Sequence, residues 1–216
     1  TYMEWLTTAR SQSFSTYESL WAWSTEEPDA FWSSLWEYFD IKGSEYEEVI
    51  SAEPMPDTKW FEGSELNFAE HIFRQKSADR PAILYKKEQG DLKSMSWEEL
   101  EKSCASLQSF FEENDLVAGD RVVAYLPNIP EATISFLAAN ALGCIWSSCS
   151  PDFGVSAVID RFAQVNPKVL ICVDGYAYGG KSFDKRDALR EITDRLPTLE
   201  QIIFIPYLDE SATLEN

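Results

Sequence analysis

The fold is decided by residues 120–151, which read DRVVAYLPNIPEATISFLAANALGCIWSSCSP. Residues 121–126 and 144–148 are short apolar runs, each stopped by a proline, and this pattern predicts two strands. Between them, Pro130 suits the first position of a helix, and Gly143 suits the left-handed residue after its last turn. The helix is apolar on nearly every side. We therefore expect it to lie between layers, as the crossover of a buried β-α-β unit.

Downstream of this stretch, the alternation of strand and helix continues. Residues 168–173 and 201–206 are almost continuous apolar runs, which suits parallel strands that are covered on both faces. Helical apolar patterns over residues 155–165 and 188–196 precede these two runs. Such short alternation predicts an α/β fold, with a doubly wound, mostly parallel sheet and helices on both of its faces.

Upstream, the sequence predicts a hairpin and then a helix. Apolar runs at residues 81–85 and 92–95 flank a polar turn at residues 86–91, which is typical of a β-hairpin. Ser96 and Glu99 have the spacing of a capping box, so a helix over residues 97–113 is expected to follow.

The first part of the chain is a leader that is rich in aromatic residues and helical in pattern. It holds six of the eight tryptophans, and its clearest helix covers residues 29–39. His71, the only histidine, lies on a short surface helix without a nearby nucleophile, so we assign it no catalytic role. The sequence thus predicts a helical leader over residues 1–78 and an α/β domain over residues 79–216.

Composition excludes several function classes. The formal net charge of −19 argues against a nucleic-acid or anionic-membrane surface, because both need a basic field. Four cysteines without a CxxC motif predict reduced thiols in a cytoplasmic compartment and no metal site. No apolar run is long enough to span a bilayer, and the chain begins without a secretory signal pattern, so we expect a soluble protein with no membrane partner.

A candidate site lies where the parallel strands end. Ligands of open α/β sheets bind outside the carboxyl ends of the strands, and the loops at residues 127–129, 148–154 and 174–181 meet there. The last loop combines glycine N–H groups, tyrosine faces and the positive charge of Lys181. It therefore favours a phosphate-bearing ligand, although a solvated glycine-rich connection is the alternative.

Several blocks of sequence resemble one enzyme family, the adenylate-forming acyl-CoA synthetases. The blocks similar to the amino-terminal part of that family are Ser96–Leu100, Gly119–Val122, Tyr125–Ala132 and Leu142–Gly143. Those that resemble its acetoacetyl-CoA synthetase branch are Ile145–Gly154, Asp160–Phe162, Gly179–Lys181 and Ile205–Leu208. With the aromatic leader, the resemblance covers nearly the whole chain.

The resemblance implies a two-step acid–thiol ligase. With Mg²⁺, ATP and a carboxylate, here acetoacetate, give an acyl-adenylate and pyrophosphate; the thiol of CoA then displaces AMP. The family's phosphate loop, its adenylate-binding acidic residues and its carboxyl-terminal domain have no counterpart before Asn216. We therefore expect an amino-terminal portion that is inactive alone, that contains no catalytic residue, and that self-associates through uncovered apolar surface.

The resemblance also assigns part of a CoA site. Related acetyl-CoA synthetases hold the nucleotide end of CoA with a basic, glycine-containing loop, and the matching positions here are Tyr178, Gly179, Gly180 and Lys181. Lys181 replaces the arginine typical of those relatives, and Tyr178 stands where another basic residue is common. Lysine acts as a point charge without the bidentate fork of arginine.

Two other hypotheses stay open from the sequence. One is a stand-alone, non-catalytic α/β module that binds CoA or a nucleotide. The other is a structural or interaction protein that docks on a partner through its aromatic leader.

Overall fold

The computed structural model describes residues 1–88 and 90–214 of the chain, which divides into two compact units. The first unit covers residues 1–67, and the second begins at Phe68. The helix that starts at Phe68 belongs to the second unit in this division. The sequence-based domain boundary between residues 78 and 79 stays a prediction.

The first unit contains three helices and one short antiparallel strand pair. Its elements are α1 (Tyr2–Arg10), α2 (Tyr17–Glu26), α3 (Pro28–Tyr38), β1 (Glu48–Ile50) and β2 (Trp60–Glu62). Aromatic rings pack against one another in this unit: the rings of Trp36 and Phe61 lie 4.6 Å apart between centres, and those of Trp23 and Phe31 lie 5.8 Å apart. The predicted helix over residues 29–39 is α3. The sequence did not predict β1 and β2, because three residues are too few to display the two-residue alternation of a strand.

The second unit opens with a helix, a hairpin and a long helix. These are α4 (Phe68–Phe73), β3 (Ile83–Tyr85), β4 (Lys93–Met95) and α5 (Trp97–Glu113). β3 and β4 pair antiparallel as predicted, while Gln89 of the predicted turn lies outside the described residues. The predicted capping box is confirmed: Ser96 Oγ accepts the N–H of Glu99 at 3.1 Å, and the Glu99 carboxylate accepts the N–H of Ser96 at 2.7 Å.

A four-stranded parallel sheet follows and confirms the predicted fold class. Its elements and connections, in chain order, are β5 (Arg121–Tyr125), α6 (Pro130–Ala141), β6 (Ile145–Cys149), α7 (Val155–Val165), β7 (Val169–Val173), β8 (Gly175–Tyr178), β9 (Lys181–Asp184), α8 (Arg186–Asp194) and β10 (Gln201–Ile205). The strand order is β10-β7-β5-β6, with every pair parallel, and β8 and β9 form a separate antiparallel pair.

Alternate residues of β5 divide the core into two layers. Val122 and Ala124 pack with Phe111 of α5 and with alanines of α6, whereas Val123 and Tyr125 pack with α7 and α8. The sheet is therefore covered on both faces, as predicted for a doubly wound fold. Leu137 of α6 packs on the side that faces α4 and α5, so this apolar helix lies between layers.

No helix within residues 1–88 and 90–214 combines the length and the apolar character that a membrane span requires.

Candidate functional site

The connections that follow the two central strands, β5 and β7, run in opposite directions. The segment after β5 leads through α6 to β6 at one edge, whereas the segment after β7 leads through the β8–β9 hairpin and α8 to β10 at the other edge. Ligands of open α/β sheets bind outside the carboxyl ends of the strands at such a switch point. The segments that follow β5 and β7 therefore form the candidate site.

The segment after β7 is a β-hairpin rather than the loop expected from the sequence. Its turn consists of Gly179 and Gly180, with φ angles of 59° and 73°, and two successive positive φ angles match the two-residue turns that connect hairpin strands. The rings of Tyr176 and Phe183 stack across the strands at 5.0 Å. The Gly-Gly pair between two short strands was the sequence signal that could have predicted this hairpin.

The base of the hairpin is fixed by a close backbone approach. A β-carbon on Gly175 would lie 2.2 Å from the carbonyl oxygen of Phe183, so only glycine fits at this position. The N–H of Lys185 donates to the carbonyl oxygen of Asp174 at 2.7 Å and closes the hairpin next to β7.

Asp174 ties the hairpin base to the segment after β10. Its side chain is buried, with the residue 3% exposed, and one carboxylate oxygen accepts the N–H groups of Tyr207 and Leu208 at 2.8 and 2.9 Å. The other oxygen accepts the N–H groups of Leu208 and Asp209 at 3.1 and 2.8 Å. One carboxylate therefore fixes residues 207–209 beside the carboxyl end of the sheet.

A second carboxylate binds the tip of the hairpin. The N–H of Gly179 donates to Glu88 Oε1 at 2.7 Å, and the N–H of Gly180 donates to Glu88 Oε2 at 3.3 Å. Glu88 lies 91 positions before Gly179, in the connection between β3 and β4. Adjacent backbone N–H groups that converge on one anion form an anion-binding turn. The glycine turn thus binds a negatively charged group with its backbone.

The neighbouring residue, Lys87, holds the same connection to the segment after β10. Its Nζ lies 4.4 Å from the centre of the Tyr207 ring and 3.5 Å from the carbonyl oxygen of Tyr207. The connection between β3 and β4 therefore contacts two segments at the carboxyl edge of the sheet, one through Glu88 and the other through Lys87.

The four residues predicted to bind CoA come together at the hairpin tip. Tyr178 and Lys181 are register partners on either side of the glycine turn, and Tyr178 is 74% exposed. Lys181 is exposed as well, and across residues 1–88 and 90–214 it has no ion-pair partner. An exposed aromatic face, two backbone donors and an unpaired ammonium group thus occupy one small surface.

The other two predicted loops line a cavity at the carboxyl ends of β5 and β6. The cavity has a volume of about 360 Å³, and its polar lining includes Asn128, Thr133, Ser148 and Ser150. Tyr125, at the end of β5, donates its O–H to the carbonyl oxygens of Pro151 and Phe153, each at 2.9 Å. Burial raises the pKa of Tyr125 to about 12, so the phenol keeps its proton and positions the loop after β6.

The cysteines are poor nucleophiles in this environment. All four are buried free thiols. Burial raises the pKa of the Cys104 thiol to about 11 and that of Cys172 to about 12, and it also raises the pKa of Cys144 and Cys149. Since the thiolate is the reactive form, these side chains contribute to packing rather than to covalent chemistry.

His71 lies on α4, which precedes the segments of the candidate site in the sequence. It lines a cleft of about 400 Å³ whose other residues are Ile72, Arg74, Gln75, Arg80, Pro81 and Trp97. None of these residues belongs to the loops at the carboxyl edge of the sheet. Among the described residues, no group of three or more His, Cys, Asp or Glu side chains could hold a metal ion.

Comparison with known proteins identifies the family. A model of the AMP-binding enzyme family matches residues 69–216, and a model of the acetyl-coenzyme A synthetase N-terminus matches residues 17–72. The chain belongs to the AMP-binding enzyme family. The resemblance to adenylate-forming acyl-CoA synthetases is thereby confirmed.

Individual members of the family match nearly the whole chain. The acetoacetyl-coenzyme A synthetase of Rhizobium meliloti (strain 1021) is 36% identical over 216 residues, which cover 99% of this chain and 32% of that protein. The acetoacetyl-CoA synthetase of Rattus norvegicus is 37% identical over 205 residues, which cover 93% of this chain and 30% of that protein.

A solved structure agrees with both relatives. The acetoacetyl-CoA synthetase from Streptomyces lividans matches with a TM-score of 0.92 and 41% identity, over 98% of this chain and 33% of that chain. The chain thus spans about a third of the length of the relatives it matches.

Proposed function

We propose that this chain forms part of a longer ligase that joins acetoacetate to CoA with the use of ATP. The observation that carries the proposal is the match of nearly the whole chain to relatives named acetoacetyl-CoA synthetase, at 36% to 41% identity. The four buried thiols fit a reducing, cytoplasmic compartment.

The proposed reaction has two steps. The acetoacetate carboxylate attacks the α-phosphorus of ATP, which gives acetoacetyl-adenylate and releases pyrophosphate. Mg²⁺ bound to ATP would neutralise charge on the phosphates. The CoA thiol, after loss of its proton, then attacks the acyl carbonyl carbon, and AMP leaves with the electrons of the broken acyl–phosphate bond. No residue of this chain is assigned to the chemistry of either step.

The part that this chain plays is to bind CoA. The proposed subsite is the tip of the β8–β9 hairpin, where the N–H groups of Gly179 and Gly180 and the ammonium of Lys181 hold a phosphate of CoA. The fit is supported by the Glu88 carboxylate, an anion that already accepts both N–H groups. The exposed ring of Tyr178 offers a face on which the adenine base stacks.

The overall function is tested by pyrophosphate exchange. We expect the complete protein that contains this chain to exchange labelled pyrophosphate into ATP in the presence of acetoacetate, and to form acetoacetyl-CoA when CoA is added. The isolated 216-residue chain should give no exchange but should still bind CoA weakly. Exchange by the isolated chain would contradict the proposal that this chain contributes no residue to the adenylation chemistry. A complete protein that binds CoA but never forms the thioester would favour the non-catalytic module.

The CoA subsite is tested by Lys181→Ala in the complete protein. Loss of one charge-assisted contact to phosphate should raise the KM for CoA about tenfold. Pyrophosphate exchange should stay nearly unchanged, because only the second step uses CoA.

Two controls make this result specific. Lys102→Ala, on the exposed side of α5, removes the same charge far along the chain from the hairpin and should leave the KM for CoA unchanged. The effect of Lys181→Ala should shrink with dephospho-CoA if the lysine contacts the phosphate that this analogue lacks. Equal losses in both half-reactions would assign Lys181 a structural role and remove it from the CoA site.

A further inference from the structure

We infer that Glu88 is an internal competitor for the anion-binding side of the Gly179–Gly180 turn, and that CoA must displace its carboxylate to bind there. This inference rests on the proposed CoA subsite and assigns that subsite a regulator within the same chain. The step is an exchange of hydrogen-bond acceptors, and no covalent bond forms or breaks.

The geometry leaves the turn no second set of donors. A two-residue glycine turn presents two outward N–H groups, and Glu88 accepts both of them, one with each carboxylate oxygen. A phosphate oxygen that bound these N–H groups would occupy the position of the carboxylate oxygens. A phosphate and Glu88 therefore cannot use the turn together.

The contact is also placed where a ligand can reach it. Both hydrogen bonds from the turn to Glu88 are solvent-exposed, so a small anion has access without any opening of the core. Lys181, next to the turn, has no ion-pair partner in the part of the chain that the structure describes. Its ammonium is thus available to an incoming phosphate while Glu88 holds only the backbone donors.

The hairpin keeps its shape without Glu88. Four register pairs join β8 to β9, the rings of Tyr176 and Phe183 stack across them, and the N–H of Lys185 closes the base on Asp174. The connection between β3 and β4 has its own anchor, because Lys87 contacts Tyr207. Release of Glu88 therefore breaks its two hydrogen bonds to the turn and leaves the hairpin and the connection between β3 and β4 in place.

The phosphate of CoA carries more negative charge than the carboxylate that it displaces. A phosphate monoester carries nearly two negative charges at neutral pH, whereas the carboxylate of Glu88 carries one. The internal carboxylate lowers the apparent affinity for every anion by the fraction of time that it occupies the turn. Because this factor is the same for every anion, the preference for the phosphate of CoA comes from its higher charge.

The test is Glu88→Gln in the complete protein, with Asp91→Asn as the matched control. Asp91 lies in the same connection between β3 and β4 and is exposed, so its substitution removes one negative charge without touching the glycine turn. We expect Glu88→Gln to lower the KM for CoA about threefold to tenfold, the range of one charged hydrogen bond in an exposed position, and to leave pyrophosphate exchange unchanged. Asp91→Asn should change the KM for CoA by less than about twofold, as expected for a screened surface charge.

A direct readout uses the amide resonances of Gly179 and Gly180 in the 216-residue chain. In the variant Glu88→Gln, inorganic phosphate should shift both resonances at a lower concentration than in the parent chain. An unchanged or raised KM for CoA, or equal phosphate titrations of the two glycine resonances, would overturn the competitor role.

The two proposals fail in different ways. If Lys181→Ala raises the KM for CoA while Glu88→Gln does not lower it, the CoA subsite stands and the competitor role is wrong. If neither substitution changes the KM for CoA, the subsite itself is wrong, and the competitor role is overturned with it.

Discussion

At the scale of single residues, Asp174 decides where the segment after β10 lies. A buried carboxylate is costly unless it is fully hydrogen-bonded, and Asp174 meets this condition by accepting four bonds from three successive N–H groups. The sequence placed Asp174 only at the start of a glycine-rich loop. Its partners, residues 207–209, lie more than thirty positions later in the chain, and no local pattern connects the two.

The substitution Asp174→Asn tests this role. The amide nitrogen would face the N–H groups of Leu208 and Asp209, so two donors would meet where an acceptor is needed. We expect the free energy of unfolding to fall by about 1 to 3 kcal/mol, the cost of buried polar groups without partners. Urea unfolding of the 216-residue chain measures it.

The control for Asp174→Asn is Glu210→Gln. Glu210 is exposed and lies directly after residues 207–209, so its substitution removes one charge from the same region without removing a buried acceptor. The same loss of stability in both variants would mean that net charge, rather than the four hydrogen bonds, explains the result.

The residues of the proposed CoA subsite were only partly accessible to sequence reasoning. Gly179, Gly180 and Lys181 are consecutive, and their residue types alone indicate an anion site. Glu88 was missed, because an exposed glutamate in a polar turn has no feature that separates it from the other acidic side chains of this chain. Its role depends on a contact between residues 91 positions apart.

At the scale of elements, α5 shows how far a local sequence signal, the capping box, defines a helix. Its capping box defines where the helix begins. Of its buried residues, Phe111 packs with β5, whereas Leu100 and Cys104 pack with α4 and α6. The capping box depends on residues close together in the sequence, which is why the helix could be predicted to the residue.

The substitution Ser96→Ala tests the capping box. It removes the oxygen that accepts the N–H of Glu99, and an N-cap serine is worth about 1 kcal/mol of stability. We expect a lower midpoint of thermal unfolding. Ser109→Ala, an exposed serine of the same helix, should be neutral or slightly stabilising, since alanine has the higher helix propensity. A drop of equal size at both positions would argue against the cap.

The strands differ in how well the sequence predicted them. Those of the parallel sheet are mostly apolar runs bounded by turn residues and helices, so the pattern alone predicted them. The strands β8 and β9 instead mix tyrosine and alanine with exposed lysine and aspartate, and their glycines resemble those of a loop. Only the pairing of the two segments with each other, a contact across the glycine turn, makes them strands.

At the scale of the whole molecule, the exposed edges of the sheet favour self-association, whereas the net charge opposes it. The strands β6 and β10 form the edges of the described sheet and carry exposed apolar side chains, with Ile145 51% and Ile202 40% exposed. Edge strands of this kind pair readily with other chains. The net charge of −19, in contrast, keeps copies of the chain apart.

We therefore expect self-association of the 216-residue chain that increases with salt. Screening shortens the range of the repulsion to about 10 Å at 0.1 M salt, while the attraction between apolar edges persists. Light scattering as a function of protein and salt concentration measures the effect. Ile202→Lys, which places a charge on the β10 edge, should shift the chain towards the monomer, and Ile145→Lys tests the β6 edge in the same way. A monomer at every salt concentration would contradict this expectation.

The exposed contact between Glu88 and the glycine turn also has a kinetic consequence. Side chains at the surface change rotamer within nanoseconds, far faster than a ligand arrives. The Glu88 carboxylate therefore binds and leaves the turn many times before each encounter, and the turn is open to a ligand only while the carboxylate is away. A ligand meets the turn in proportion to the open fraction alone, whereas a bound phosphate leaves at a rate that the displaced carboxylate does not affect. Glu88 therefore acts on how often CoA is captured and leaves unchanged how long it stays.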